Sequence, residues 1–471
     1  MTPYEIRRLF TIAHERAVRF RTERDLWPQS PRQNYAACRA DFDAALPEDP
    51  VPPEEVIAEL ADRAERGLQM STGPRFFAWV IGSSHPVGVA ADMMVSAWGQ
   101  NTGNHQAAPS ASAAETVTAK WLLELLHLPG QASVGFVTGA TVANMVCLAA
   151  ARGEVLRRAG WDADSQGLFG APPVSVLIGD DAHTTVFSAL QFLGLGHDRV
   201  VRVATDAQGA IVPAAFASAL AEVSGPSIVI LQAGQINTGA CDAFATLIPL
   251  AHGKGAWVHV DGAFGLWARA NPGTFALTEG MEQADSWATD GHKWLQTPYD
   301  SGFAIVKDEV AHRRAMTIAA SYLPMTAEGE RDPTHYVPEL SRRARGFPAW
   351  AMIKALGRSG IAEMVNRHCT VARSMAQALA REPGVAVLND VVMNQAIIRF
   401  GADKDVAEGD AITQKTIARI QQDGECFAGG ARWRGQQVMR LSVIGFDTDE
   451  AEAERSVAAM LRAYRNVRQS G

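Results

Sequence analysis

The sequence predicts an α/β protein in which a mainly parallel sheet is covered by helices, followed by a smaller α+β domain. Between residues 82 and 345, short apolar or β-branched segments alternate with helical segments. After Phe347, two helical segments precede three strand-like segments and a last helix. The length of 471 residues exceeds one compact core, so we expect two or three packed domains.

Residues 1–81 are predicted to form an N-terminal helical arm. Apolar residues recur at spacings of three and four in YEIRRLFTIAHERAVRF and in PPEEVIAELADRAERGL, and Pro53 suits a first helical turn. The first segment lacks the continuous apolar core and the cleavage site of a secretory signal. No apolar run is long enough to cross a bilayer, so we expect a cytoplasmic protein without a membrane partner.

The large domain, residues 82–345, is predicted to hold the sheet, and residues 346–471 the small domain. Strands of the large domain are expected at ASVGFV, VSVLIG, RVVRV, SIVILQ, AWVHV, ADSWAT and GFAIV. The small domain is expected to contain helices at WAMIKALG and IAEMVNRHCTVARSMAQALA, strands at VAVLND, NQAIIRF and VMRLSVIG, and a helix from about Asp449. The polar stretch at residues 326–346 is a candidate mobile loop.

Charge and cysteine usage exclude several kinds of partner. A formal net charge of -8 gives no basic field for a phosphate backbone, so a nucleic-acid partner is not expected. The five cysteines are odd in number and scattered, without a CxxC pair or a histidine at metal-ligand spacing. We therefore predict no metal site and a reduced, cytoplasmic setting.

Polar residues directly follow several of the predicted strands, where open α/β sheets bind ligands. ASVGFV runs into Thr138-Gly139-Ala140-Thr141 and then a helix, so small residues and hydroxyls at the helix start could form an anion site, most naturally for phosphate. A simple helix cap by Thr138 or Thr141 is the alternative. His183 follows a second strand and could stack on a planar ligand, move protons or be purely structural.

Two further strand ends carry charged residues. Asp261 ends AWVHVD and is followed by two small residues, so it could hold a ring nitrogen protonated or cap the next turn. Lys293 follows ADSWATDGH and is flanked by His292 and Trp294, so it could be partly desolvated and form an imine, whereas most lysines are solvated surface charges. Phosphate cradle, imidazole, carboxylate and lysine are together the groups that pyridoxal phosphate requires.

The order and identity of these residues resemble the group II amino acid decarboxylases, the family of aromatic amino acid, glutamate and histidine-type pyridoxal decarboxylases. The likeness is most specific in HVDGA and DGHKW. It also covers PRFFAWVIGSSHPVGVAADMM, APSASAAETVTAKWLLELLHLP, SRRARGFPAW and MRLSVIGFDTDEAEAERSV. The resemblance implies a fold-type I pyridoxal-phosphate enzyme with a seven-stranded, mainly parallel sheet. It also implies a homodimer in which the partner chain completes each active site.

The resemblance also implies a role for each site residue. Lys293 would carry the cofactor as a Schiff base, His183 would stack on its ring, and Asp261 would pair with the protonated ring nitrogen. The phosphate would be contacted by Gly139, Ala140, Thr141 and His292. Ala263 would lie beneath the ring, and Asn237 and Thr238 would lie at the cofactor rim.

The chain departs from the family pattern near the cofactor, first in the phosphate turn, which is TGAT rather than a Ser/Gly-rich sequence. The family usually has Asp-Ala-Ala where this chain has Asp261-Gly262-Ala263, and Asn-Pro where it has Asp290-Gly291. Many family decarboxylases also carry a loop tyrosine that returns a proton to the substrate carbon in the partner subunit. Here Tyr336, Tyr322 or His335 could serve, or none of them.

The predicted function is decarboxylation of an L-amino acid to its amine. The alternatives are another Cα-bond reaction with the same cofactor, as in an aldehyde synthase, aldolase or aminotransferase, and a scaffold relative without catalysis. Five residues are candidates for lining the substrate pocket, although aromatic residues there pack in the core more often: Phe76, Phe77, Trp79, His85 and His105. The sequence does not choose between aromatic and acidic substrates.

Overall fold

The large domain contains the predicted mainly parallel sheet of seven strands. The computed structural model describes residues 1–317 and 330–469. The strands are β1 (Ser133–Val137), β2 (Ser175–Gly179), β3 (Val201–Val203), β4 (Ser227–Gln232), β5 (Trp257–Asp261), β6 (Ser286–Asp290) and β7 (Gly302–Val306), in the order β1-β7-β6-β5-β4-β2-β3. Six strands run in one direction, and β7 pairs antiparallel with both of its neighbours.

Most helices of the large domain pack on the two faces of this sheet. The helices of this domain are α4 (Pro86–Trp98), α5 (Pro109–Leu125), α6 (Ala140–Arg158), α7 (Ala163–Gln166), α8 (Thr184–Phe192), α9 (Pro213–Ala221), α10 (Phe244–Gly253) and α11 (Glu309–Met316). The helices α6, α8 and α11 share one apolar core with the sheet, and α5, α9 and α10 share the other. The strands are apolar almost throughout because both of their faces are buried, which is why they could be predicted from sequence.

The small domain is an antiparallel sheet backed by three helices. It contains α12 (Gly346–Leu379), β8 (Val385–Val387), β9 (Gln395–Phe400), α13 (Val406–Asp423), β10 (Gly429–Trp433), β11 (Gln436–Ser442) and α14 (Glu450–Gln469), with strand order β10-β11-β9-β8. The two predicted helical segments form α12, which breaks at Gly357, where φ is 62°. Strand β10 was not predicted, because this edge strand begins with two glycines and lacks an apolar run.

The N-terminal arm is helical over most of its length, as predicted, but its last residues form an irregular segment that contacts the small domain. Helices α1 (Pro3–Thr22), α2 (Tyr35–Phe42) and α3 (Pro53–Ala64) precede an irregular segment. In that segment the Phe77 amide donates to the Phe427 carbonyl over 2.8 Å, which ties the chain to the small domain. Among the residues described, no helix is both long and apolar enough to span a membrane.

The described part of the predicted mobile loop, residues 330–346, is anchored. Arg342 forms an ion pair of 2.7 Å with Glu115 of α5, and both side chains are buried. The same guanidinium donates to the Phe136 carbonyl over 2.7 Å and so links the loop to β1. These two contacts fix the Arg342 side chain in the interior. Mobility of the loop as a whole stays a prediction.

Three histidines are fully buried and hydrogen-bonded in the interior. His259 contacts the Ser286 hydroxyl and the Asn144 side-chain oxygen, each at 2.9 Å. His312 and His368 each contact a backbone carbonyl, over 3.0 Å and 2.8 Å respectively. Burial lowers the pKa of each of the three imidazoles to about 3.

We expect these histidines to make the fold sensitive to acid. The unfolded chain takes up protons near the ordinary pKa of 6.5, whereas the folded chain does not until about pH 3. Stability is therefore fully present above pH 6.5 and falls by about 1.4 kcal/mol per pH unit for each histidine as the pH drops below that value. Urea unfolding at pH 7.5 and pH 5.5 measures the slope, and an unchanged free energy of unfolding between them would contradict the expectation.

Candidate active site

The strand ends of the large domain meet at one cavity of about 340 Å³. Eight of the ten residues predicted to bind or act on a cofactor line it: Gly139, Ala140, Thr141, His183, Asp261, Ala263, His292 and Lys293. They come together because β1, β2, β5 and β6 run in the same direction and end at the same edge of the sheet. A cavity of this size lies within the range of cofactor sites.

The turn between β1 and α6 brings backbone amides to the edge of the cavity. A Cβ atom on Gly139 would lie 3.1 Å from His292 Cε1 and 3.3 Å from Asp290 Oδ1. A Cβ atom on Gly302 would lie 2.5 Å from Gly139 Cα, so two glycines allow this close approach. The N-terminus of a 19-residue helix therefore opens into the cavity, where its amides favour an anion.

Asp261 and His183 form the buried electrostatic centre of the cavity. Asp261 is 4% exposed and accepts the Ala263 amide over 3.2 Å. Burial raises the pKa of Asp261, and the nearby His183 and Lys293 oppose that shift. Burial lowers the pKa of His183, which keeps its imidazole neutral at pH 7. A neutral ring bonded to the Thr185 hydroxyl at 2.8 Å is suited to pack against a planar ligand.

Lys293 lies on the turn after β6 and is held by buried partners. Its Nζ atom is 2.7 Å from Asp290 Oδ2, and its side chain is 17% exposed. The next residue, Trp294, is fully buried and donates its indole N-H to His368 over 2.9 Å. The N-terminal segment supports the same turn, because the Gly82 amide donates to the His292 carbonyl over 2.9 Å. The amine is therefore presented from a rigid turn.

These residues fit pyridoxal phosphate. The helix N-terminus at Ala140 and Thr141 could hold the phosphate, and the buried carboxylate of Asp261 could face the ring nitrogen. The amine of Lys293 could bind the aldehyde carbon, and the glycine turn leaves room for close contact. The donor set thus matches the anionic, cationic and electrophilic ends of the cofactor.

Two predicted rim residues lie just behind the cavity wall. Ile236 lines the cavity, whereas the Thr238 hydroxyl donates to the Gln208 carbonyl over 2.5 Å. The Asn237 amide donates to the Gln235 side-chain oxygen over 2.5 Å. Direct cofactor contact by Asn237 and Thr238 stays a prediction.

Two charged residues near the cavity were not assigned a role from sequence. Asp290 is 2% exposed, accepts the Ala140 amide over 2.6 Å and pairs with Lys293. Arg440 of β11 is half-buried, and burial lowers its pKa. Its positive charge contributes to lowering the pKa of His183, so a cation of the small domain acts electrostatically on the cavity. The departure from Asn-Pro to Asp290-Gly291 was the available signal for Asp290.

The candidate proton donors have different contacts within the chain. Tyr336 is 6% exposed, and its hydroxyl donates to Glu309 of the same chain. His335 contacts Arg313 at 3.3 Å. Tyr322 lies outside the described residues.

Most of the aromatic candidates for the substrate pocket have structural contacts. Phe76 stacks on Phe427 with ring centroids 5.3 Å apart, and Phe77 is fully buried in the core of the small domain. His85 accepts the Val87 amide at the start of α4. His105 lies between two carboxylates, 2.9 Å from Glu330 and 2.7 Å from Asp332. Trp79 is 52% exposed.

The sheet topology and the cavity residues define the class of protein as a fold-type I pyridoxal-phosphate enzyme. The chain belongs to the pyridoxal-dependent decarboxylase family, whose conserved domain matches residues 36–400. It is therefore a carbon-carbon lyase of the carboxy-lyase class that uses pyridoxal phosphate. The predicted family, fold class, enzyme class and cofactor are confirmed, and the scaffold alternative is wrong.

Similar proteins include more than one named reaction. An aromatic-L-amino-acid decarboxylase of Bacillus atrophaeus is 27% identical, with 87% of this chain and 85% of that protein covered. A phenylacetaldehyde synthase of Arabidopsis thaliana is 23% identical, with 88% and 86% covered. The crystal structure of Oryza sativa TDC with PLP and tryptamine has a TM-score of 0.91 and 21% identity, with 99% of each chain covered.

Proposed function

We propose that this chain removes the α-carboxylate of an L-amino acid and releases the corresponding amine, with Lys293 holding the cofactor as a Schiff base. The main support is that Lys293 lines the same cavity as Asp261 and His183. The contact with Asp290 holds the Lys293 side chain in the cavity, and its nitrogen can bond to an aldehyde once it has given up its proton.

Each residue has a distinct part in this proposal. Bound pyridoxal phosphate supplies an electron-accepting ring for the bond that breaks between Cα and the carboxylate. Asp261 holds a proton on the ring nitrogen by placing a carboxylate at the buried end of the cavity. His183 packs its neutral imidazole on the ring, while Ala140 and Thr141 orient the phosphate through backbone amides.

A second candidate reaction is oxidative decarboxylation to an aldehyde. It is favoured by the contact between Tyr336 and Glu309, which holds that hydroxyl within its own subunit. It is also the reaction type that the name of the Arabidopsis relative suggests. This reaction would consume oxygen and water and release carbon dioxide, ammonia and hydrogen peroxide along with the aldehyde.

We also propose a homodimer in the cytoplasm. Large apolar side chains of the arm and of α4 are exposed in the single chain, including Tyr4 at 67%, Phe10 at 58% and Trp98 at 49%. Apolar surface of this kind favours coverage by a partner, here a second copy. All five cysteines are free thiols, which suits a reducing compartment.

Product analysis separates the two reactions. We expect the protein, loaded with pyridoxal phosphate and given a mixture of the common amino acids, to release carbon dioxide and an equal amount of one amine. Mass spectrometry of new products and a peroxide assay make the measurement. Aldehyde with ammonia and peroxide would instead support the second reaction, and a Cα-bond product without carbon dioxide would overturn both.

A further inference from the structure

One carboxylate already occupies the proposed phosphate cradle. Asp290 Oδ1 accepts the Ala140 amide over 2.6 Å, at the first residue of α6. This is one of the amides that a phosphate would use. A helix N-terminus attracts negative charge, whether it belongs to a carboxylate or to a phosphate. The Asp290 side chain and a phosphate therefore compete for the Ala140 amide.

The position of Asp290 is fixed by its backbone. Its amide donates to the Ala263 carbonyl over 2.9 Å, and its own carbonyl accepts the Trp267 indole N-H over 3.0 Å. It also pairs with Gly302 in the sheet. The carboxylate can therefore turn about its side-chain bonds but cannot withdraw from the cradle with the strand.

The same carboxylate also compensates charges on the turn after β6. Oδ2 lies 2.7 Å from Lys293 Nζ, and Oδ1 lies 3.6 Å from His292 Nε2. Without it, the buried amine of Lys293 would lose its nearest negative charge, which is costly in the interior. Asp290 thus stabilises the site before a cofactor is bound.

We propose that Asp290 is a positioning residue that fills the cradle of the cofactor-free enzyme and weakens its affinity for the phosphate group. It neutralises Lys293 and satisfies the Ala140 amide in the empty site, and it yields that amide when the phosphate enters. Removing its charge therefore lowers the stability of the cofactor-free protein, because an ion pair is lost. The same change raises the affinity for phosphate, because a repelling charge is removed. This inference rests on the proposed placement of the phosphate at Ala140 and Thr141.

The variant Asp290→Asn tests the inference, since asparagine keeps an oxygen for the Ala140 amide and removes the charge. We expect the cofactor-free variant to bind inorganic phosphate and pyridoxal phosphate about tenfold more tightly than the wild type, by calorimetry. We expect its melting temperature without ligand to fall by about 5 °C. A purely structural residue would instead lower both stability and affinity, and that result would overturn the inference.

Pyridoxal, which lacks the phosphate, is the matched ligand control. Both aldehydes can bond to Lys293, so the ratio of their affinities isolates the phosphate, and it should rise in Asp290→Asn. Equal affinities for the two ligands in the wild type would show that the proposed phosphate placement has failed. A preference for pyridoxal phosphate that is the same in wild type and variant would overturn only the role of Asp290.

Asp300→Asn is the matched charge control. Asp300 is nearby on the same turn but pairs with Arg345 at 2.8 Å and is 42% exposed. We expect no change in the affinity ratio for this variant. A change as large as that of Asp290→Asn would show that the effect comes from net charge near the cavity and not from Asp290 itself. If Asp290→Asn does not fold, Asp290→Ser supplies the same test with a hydroxyl acceptor.

Discussion

Replacing Lys293 with alanine is expected to abolish the reaction and the Schiff-base absorbance together. The side chain is the amine that lines the cavity beside Asp261 and His183, and it has a buried counter-ion. Loss of a covalent nucleophile removes the step that it forms rather than slowing it slightly, so product formation should fall by about 10³-fold or more. Absorbance spectra with pyridoxal phosphate and product release from matched amounts of protein make the measurement.

A lysine outside the cavity provides the control for this change. Lys254 follows α10, and its ammonium donates to the Ala221 carbonyl at the surface over 3.4 Å. Lys254→Ala should retain both the absorbance and the product. Persistence of a Schiff base in Lys293→Ala would show that another amine carries the cofactor.

The fold of the large domain and most of the site could be predicted from sequence because both depend on local patterns. Most of the seven strands are short, largely apolar runs with both faces buried, whereas β3 at the edge of the sheet exposes Arg202. The residue that follows a parallel strand lies at the ligand-binding edge wherever the strand stands in the sheet. Asp261 and Lys293 could therefore be assigned to one site without knowledge of the strand order.

Contacts between distant segments could not be predicted in the same way. The contact between Asp290 and Ala140 joins residues 150 positions apart, across the edge of the sheet. The substitution at Asp290 was visible in the sequence, but its hydrogen-bond partner was not. Arg440 is a similar case, because only the packing of the small domain against the large one brings its charge near His183.

The anchoring of Arg342 has the same origin. A polar, turn-rich composition is typical of a mobile loop when its charges are solvated. Here Arg342 finds Glu115 on α5, and the two are buried together. Composition gives the number of charges but does not reveal which of them meet a buried partner.

Replacing Asp261 with asparagine is expected to slow catalysis while leaving the cofactor bound. The change keeps the shape of the side chain and its contact with the Ala263 amide, but removes the buried negative charge that would hold a proton on the ring nitrogen. Removing one preorganised electrostatic contact of this kind typically lowers kcat by about 10²- to 10³-fold. Single-turnover rates and the absorbance of the bound cofactor distinguish this loss from a loss of binding.

Asp242 is a matched control, because it is another buried carboxylate near the same sheet edge. It accepts the amides of Ile211 and Gln232, each over 2.7 Å, and burial raises its pKa to about 6. Asp242→Asn should lower the melting temperature, since an amide nitrogen would face one of these donors, yet leave kcat close to that of the wild type. If both variants lost kcat equally, the effect would reflect buried charge in general, whereas a loss confined to Asp261→Asn would tie the ring-nitrogen proton to that one carboxylate.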